Sequence, residues 1–171
     1  TRENRKEDVA QLYLRIGRLW EEQLRDTRTA SEYYRRILKV CPEHRAVRFR
    51  LAKLAQEDGD LEQARLYYED ILTITEIPGD DSEREDAIAA NTELAKIALE
   101  LDGREQQAID CYERILSLSP AHQITLEAIG PLLWRAQRWP RLVEIQKSLL
   151  EASDDSDVRK RLHYDCAKIL H

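Results

Sequence analysis

Paired apolar residues, a large side chain followed by a small one, recur along this chain at nearly constant intervals. They are Ile16-Gly17, Leu51-Ala52, Leu94-Ala95 and Ile129-Gly130, and the intervals between them are 35, 43 and 35 residues. A second set follows in phase, with alanine, tyrosine and an Ile-Leu pair at Ala30, Tyr34 and Ile37-Leu38, at Ala64, Tyr68 and Ile71-Leu72, and at Ala108, Tyr112 and Ile115-Leu116. A period of about 20–50 residues indicates a stack of repeated units.

Each unit is predicted to be a pair of helices. Its apolar residues recur at three- and four-residue spacing, which places them on one face of a helix. The small member of each pair is expected to let the neighbouring helix approach closely. Gly59 and Gly103 suit the left-handed turn between paired helices. Pro42 and Pro120 separate consecutive units because proline cannot continue the preceding helix. An inserted connection at residues 78–81 explains the longer second interval.

The pattern predicts an all-α chain of about nine helices. They are expected near residues 7–25, 29–40, 44–58, 61–75, 83–101, 104–118, 121–137, 139–152 and 156–170. These helices form four repeats in a single domain over residues 1–171, at 9–42, 44–77, 87–120 and 122–154. The unpaired final helix, 156–171, is either a cap on the last hairpin or half of a truncated fifth repeat.

This arrangement resembles the tetratricopeptide motif of about 34 residues. The first repeat carries the motif at Tyr13, Ile16, Gly17, Trp20, Ala30, Tyr34 and Pro42. The second keeps Leu51-Ala52, Gly59-Asp60, Ala64 and Tyr68, and the third keeps Gly103, Ala108, Tyr112 and Pro120. The fourth departs from it, with Pro131 in its first helix and Leu142 in place of the packing alanine. The resemblance implies a right-handed α-solenoid that holds another polypeptide.

The amino-acid composition limits which kinds of partner and which cellular location are expected for the chain. With 27 basic and 33 acidic residues the net charge is −6, whereas binding to a nucleic-acid backbone favours a basic excess. There is no run of about 18 apolar residues, so no membrane-spanning segment is expected. Three widely spaced cysteines, Cys41, Cys111 and Cys166, do not suggest a disulfide framework and fit a cytoplasmic location. Because it lacks methionine, the chain is expected to be a fragment of a larger protein.

The polar residues do not suggest an enzyme, and no cofactor or metal is expected. His44 and His122 recur at equivalent positions after Pro42 and Pro120, as part of the turn between repeats rather than as a ligand pair. The sequence has neither metal-ligand spacing nor a glycine-rich phosphate loop. The acidic stretch 80–86 has two interpretations. It is the start of a helix, where acids favour the helix dipole, or it is a contact for a cation or a basic partner.

The resemblance implies that positions 2, 5, 9 and 12 of each first helix face a concave groove. Position 9 is Arg18, Lys53 and Lys96 in the first three repeats, with Arg15 and Arg50 about one turn away. These cations lie beside Leu14 and Phe49 at position 5, a combination that would suit a peptide with acidic residues and one apolar anchor. Alternatively, the cations are solvated or paired with acids such as Glu21.

The leading functional hypothesis is therefore a protein-interaction scaffold that binds a peptide or domain in this groove. Two alternatives stay open: a structural element that associates with copies of itself, and a regulatory array of an enzyme lying outside this fragment. Binding of a chaperone's C-terminal carboxylate is disfavoured, because position 9 of the first repeat is Arg18 where such family members carry asparagine.

Overall fold

The computed structural model describes residues 2–75, 77–101 and 103–152, and all the regular structure in these ranges is helical. The eight helices are α1 (Arg2–Glu22), α2 (Thr27–Val40), α3 (Arg45–Glu57), α4 (Leu61–Ile74), α5 (Asp81–Glu100), α6 (Glu105–Leu118), α7 (Gln123–Arg135) and α8 (Trp139–Ala152). Each predicted helix up to residue 152 is present, and α1 begins five residues earlier than expected. The expected ninth helix lies outside the described residues.

The chain forms two compact units, residues 1–90 and 91–171, with the boundary inside α5. In the first unit α1 packs against α2, α2 against α3, and α3 against α4. One apolar cluster joins α2 to α3 through the fully buried Tyr34, Ile37, Val47, Leu51 and Leu54. In the second unit α6 packs against α7 and α7 against α8. The single domain over residues 1–171 and its four repeat boundaries stay predictions.

Side-chain caps and two glycines set where the helices of the hairpins begin and end. The Asp26 and Asp60 carboxylates accept hydrogen bonds from the Thr29 and Gln63 amides at the starts of α2 and α4. These bonds satisfy amides that a helix leaves unpaired in its first turn. Gly59 has a φ of +79° and Gly103 a φ of +77°, so the predicted left-handed turns are confirmed. The hairpin geometry is thus encoded locally.

Gly17 of α1 lies directly against the ring of Tyr34 on α2. A Cβ atom added to Gly17 would lie 2.5 Å from Tyr34 Cε1. Tyr34 is only 1% exposed and has no room to move, so α1 and α2 keep this distance because residue 17 lacks a side chain. The expected close contact at Gly17 is confirmed.

The expectation of a similarly close contact at Gly130 is wrong. The nearest atom to an added Cβ there is Leu142 Cδ1, at 4.0 Å, which is an ordinary van der Waals distance. Leu142 occupies the place of the alanine in the other repeats, and its longer side chain fills the space between α7 and α8. Two glycines at equivalent positions therefore play different structural roles.

Replacing these two glycines by alanine should change the stability in opposite directions. Gly17→Ala places a methyl group inside the Tyr34 contact, and overpacking of this kind costs about 1–3 kcal/mol. Gly130→Ala has room for the methyl group and should gain up to about 1 kcal/mol from the better helix propensity of alanine. Urea unfolding followed by circular dichroism measures both. A Gly17→Ala variant as stable as the wild type would contradict the packing described above.

Candidate interaction groove

A cavity of about 1230 Å³ lies in the first unit, open along the first halves of α1 and α3. The turn between α2 and α3 and the start of α5 complete its walls. Its lining includes Gln11, Ala46 and Phe49, which occupy groove positions 2 and 5 of the first two repeats. Phe49 is half-buried and packs edge-on against the Tyr68 ring, with centroids 5.9 Å apart. A concave, partly apolar surface therefore exists where first-helix residues were expected to line one.

Acidic side chains dominate the charge of this cavity. Glu7, Asp8, Glu43 and Asp86 all line it. Arg45 also lines it, but its Nη1 lies 2.7 Å from Glu83 Oε1 and its Nε 2.9 Å from Asp86 Oδ2. Its charge is therefore already balanced by α5. Burial lowers the pKa of His44, another lining residue, so this imidazole is neutral near pH 7. The cavity is left with an excess of negative charge.

The acidic stretch at residues 80–86 forms the start of α5, as the first of its two interpretations predicted. Asp80 Oδ1 accepts a hydrogen bond from the Glu83 amide at 2.8 Å, and Glu83 Oε2 accepts one from the Gly79 amide at 2.8 Å. These two bonds, of which the one from Gly79 lowers the pKa of Glu83 most, support the first turn of α5. Glu83 and Asp86 also form ion pairs with Arg45 of this chain, and the second interpretation, a contact for a cation or a basic partner, stays a prediction.

The three cations at position 9 differ in whether they form an ion pair. Arg18 and Lys53, both in the first unit, are exposed and form no ion pair with any described residue. Arg15 is also exposed and equally unpaired within that part of the chain. Lys96 belongs to the second unit, and its Nζ lies 2.6 Å from Glu93 Oε1 on the same helix. Two members of the expected row, Arg18 and Lys53, are thus available to a partner in one unit.

Arg50 is held inside the first unit by Glu21. Its Nε donates to Glu21 Oε2 at 2.8 Å and its Nη2 lies 2.5 Å from Glu21 Oε1, a two-pronged pairing that raises the pKa of Arg50. Tyr34 donates its hydroxyl to the same carboxylate at 2.7 Å. Burial is the main cause that raises the pKa of Tyr34, and the hydrogen bond to Glu21 raises it further. The Glu21 carboxylate therefore connects α1, α2 and α3. Of the two possibilities for the cations, solvation or pairing with an acid, Arg50 follows the second.

A similar bond recurs in the second repeat, where Tyr68 donates its hydroxyl to Gln56 Oε1 at 2.8 Å. Position 12 in these two repeats thus serves the buried tyrosine rather than projecting freely into the groove. Sequence reasoning missed this role. Its signal was a polar residue, Glu21 or Gln56, lying 12 or 13 residues before the repeated tyrosine. Leu14, a predicted groove residue, is half-buried and packs against the core cluster.

Removing the Glu21 carboxylate should destabilise the first unit. Glu21→Ala leaves the buried Tyr34 hydroxyl without its acceptor, which costs about 1–3 kcal/mol. Glu21→Gln keeps an acceptor and should cost less. The matched control is Glu22→Ala at the adjacent exposed residue, expected to stay within about 0.5 kcal/mol of the wild type. Chemical unfolding compares the three variants, and equal losses at residues 21 and 22 would rule out the proposed role of this carboxylate.

The second unit presents apolar residues at the groove positions. Ile124 is 73% exposed, Trp134 48% and Leu99 42%. Trp134 and Trp139 pack edge to face, with centroids 5.0 Å apart, across the turn between α7 and α8. Arg141 of α8 binds Glu113 of α6 through Nη2 at 2.5 Å and Nε at 2.8 Å, which raises its pKa. The groove positions of the two units therefore differ in chemistry.

Within residues 2–75, 77–101 and 103–152, no group of three or more histidine, cysteine, aspartate or glutamate side chains is placed to hold a metal ion. None of the eight helices in these ranges has the length and apolar character needed to cross a membrane.

Comparison with protein families finds the repeat unit in the sequence itself. Two models, both described as tetratricopeptide repeat, match residues 9–54 in one case and residues 46–77 and 88–122 in the other. The matched stretches include the first three of the four repeats inferred from internal periodicity. Comparison with curated protein sequences gave no match.

Solved structures share the fold at low sequence identity. A tetratricopeptide repeat protein from Parabacteroides merdae superposes with a TM-score of 0.71 and 19% identity, over 95% of this chain and 60% of that one. The MamA protein gives 0.63 and 16%, over 95% and 88% of the two chains. YrrB, described as a TPR protein with an unusual peptide-binding site, gives 0.59 and 13%, over 92% and 74%. The expected class, an all-α stack of helical hairpins as in α-solenoids, is confirmed.

Proposed function

Because this chain belongs to the tetratricopeptide-repeat family, we propose that it is a protein-interaction scaffold which holds a segment of another polypeptide in the groove of its first unit. The observation that carries the proposal is the cavity of about 1230 Å³ lined by first-helix residues of both repeats. Small-molecule sites have volumes of about 300–1,000 Å³ and are mostly apolar, whereas this cavity has a larger volume and several charged lining residues. YrrB, of similar fold, is described as having a peptide-binding site.

The charges of the groove define the segment that would fit it. Glu7, Asp8 and Glu43 favour lysine or arginine near the first turns of α1 and α3. Arg18 lies about three helical turns beyond Glu7 and Asp8 along α1, and Lys53 lies about two turns beyond the start of α3. Both favour an acidic residue. Phe49, between the two charged regions on α3, offers a contact for one apolar side chain. The expected ligand is thus a peptide with a basic end, an apolar anchor and an acidic end.

This proposal refines the expected partner, a peptide with acidic residues and one apolar anchor, by adding a basic end. The row at position 9 was expected to hold three cations, Arg18, Lys53 and Lys96, but Lys96 is paired with Glu93. Of the two arginines about one turn away, Arg50 is paired with Glu21. The acidic residues that line the cavity were not predicted as a group, because they come from α1, the turn after α2, and α5. Opposite charges at the two ends would also fix the direction in which the peptide lies, since the reversed peptide would place like charges together.

Selection of short peptides from a displayed random library on the purified chain tests the proposal. The expected sequences carry basic residues on one side of an apolar residue and acidic residues on the other. Affinities of the selected peptides, measured by fluorescence polarisation, should fall roughly tenfold for Phe49→Ala and for the double variant Arg18→Glu, Lys53→Glu. The decrease for the charge-reversed variant should shrink at high salt, because salt screens exposed charges.

Two cations outside the groove provide the matched control. Lys39→Glu and Arg114→Glu introduce the same change of charge at exposed positions of α2 and α6. Peptides that bind the Arg18, Lys53 variant as tightly as the wild type, or lose as much affinity in the control, would refute the groove as the binding site. Failure to select any peptide would refute the function itself.

A further inference from the structure

An apolar strip on α1 is open to solvent. Leu12 is 55% exposed, Leu19 57% and Val9 39%. In a helix with 100° between successive residues, these three side chains lie on one face, with half-buried Ile16 between them. Leu12 lies 120° around the helix axis from Arg18, so this strip is a different surface from the groove. Contiguous exposed leucines of this kind mark a surface that is covered by a partner.

The repeats of the chain show how this surface is used elsewhere. The residues equivalent to Leu12, found by adding the repeat offsets, are Val47, Ala90 and Thr125, and each is at most 2% exposed. Those equivalent to Leu19 are Leu54, Ile97 and Leu132, at most 3% exposed. The face that is open on α1 is therefore closed on every other first helix of the described residues.

The helix that closes this face is visible within each unit. Val47 and Leu54 of α3 belong to the same apolar cluster as Tyr34 and Ile37 of α2, the second helix of the preceding hairpin. In the second unit α6 packs in the same way against α7, which carries Leu132. In both cases the covering helix carries an alanine, a tyrosine four residues later, and an Ile-Leu pair that begins three residues after the tyrosine.

We propose that Val9, Leu12 and Leu19 of α1 form a stacking surface for a helix of this same type, the second helix of another tetratricopeptide hairpin. The strip continues an interface that the chain already builds between its own repeats, which specifies the shape and spacing of the occupant. The occupant presents an aromatic and an aliphatic side chain three residues apart, as Tyr34 and Ile37 of α2 do in the cluster that holds Val47 and Leu54. This surface is independent of peptide binding in the groove.

Tandem duplication of residues 9–43 supplies such a helix within the full chain. Residue 43 is followed by residue 9 at the new junction, which reproduces the natural step from Glu43 to His44, because 44 is 35 residues after 9. The extended chain has the whole of α1 followed by a second copy of its residues 9–22, which carries the same apolar strip. The outer face of the first copy stays open, and that of the second is covered by the duplicated α2.

The same substitution placed in each copy tests the proposal with an internal control. Leu12→Glu in the first copy should leave the urea unfolding transition unchanged. In the second copy it should raise the unfolding equilibrium constant by at least about tenfold, because a charge is buried without a partner. Leu12→Ala in the second copy, which folds more readily, should give a smaller shift in the same direction. Leu66→Glu, at an exposed leucine of α4, should have no effect.

Equal tolerance of Leu12→Glu in the two copies would overturn the proposal, since the duplicated helix would then not cover the strip. Sedimentation velocity of the original chain tests the competing occupant, a second copy of the chain. A concentration-dependent dimer that Leu12→Glu or Leu19→Glu abolishes would assign the strip to self-association and overturn the proposal. The proposal is supported if the original chain is a monomer and if, in the extended chain, Leu12→Glu destabilises the second copy but not the first.

Discussion

The contact between Tyr34 and Gly17 is the constraint on which the first unit depends. The tyrosine ring occupies the space that a side chain at residue 17 would need, so the distance between α1 and α2 follows from it. Burial of the ring also requires an acceptor for its hydroxyl, because an unpaired buried hydroxyl is costly. Glu21 supplies that acceptor and, through Arg50, extends the bond to α3. One tyrosine thus couples hairpin packing to the stacking of the next repeat.

Ion pairs within the chain decide which charged side chains remain available to a partner. Glu21 neutralises Arg50, and Glu83 and Asp86 balance Arg45. What is left in the first unit is an acidic region at Glu7, Asp8 and Glu43, which line the cavity, and two exposed cations, Arg18 and Lys53, outside that lining. The separation of the two signs along the same two helices is a property of the folded unit. In the proposed complex, this separation would give the bound segment a direction as well as a position.

Most of the fold was predictable, because its signals are local. The eight described helices, the left-handed Gly59 and Gly103, and the close contact at Gly17 all follow from spacing within one or two turns. The groove was less predictable. The resemblance placed Phe49, Arg18 and Lys53 on first helices, but the acids that wall the cavity come from three separate segments. The wrong expectation at Gly130 has a similar cause, since its contact distance is decided by Leu142 on the next helix.

The sequence by itself determined the number of described helices, their order and their turns, because helix periodicity, glycine at positive φ and proline at unit boundaries act over a few residues. Only the tertiary structure decided which charges remain available. Arg50 lies 29 residues from Glu21, and no local pattern shows that they meet. Tertiary structure also decided that Leu12 is open while its equivalents Val47, Ala90 and Thr125 are buried, since burial depends on what packs against a helix face.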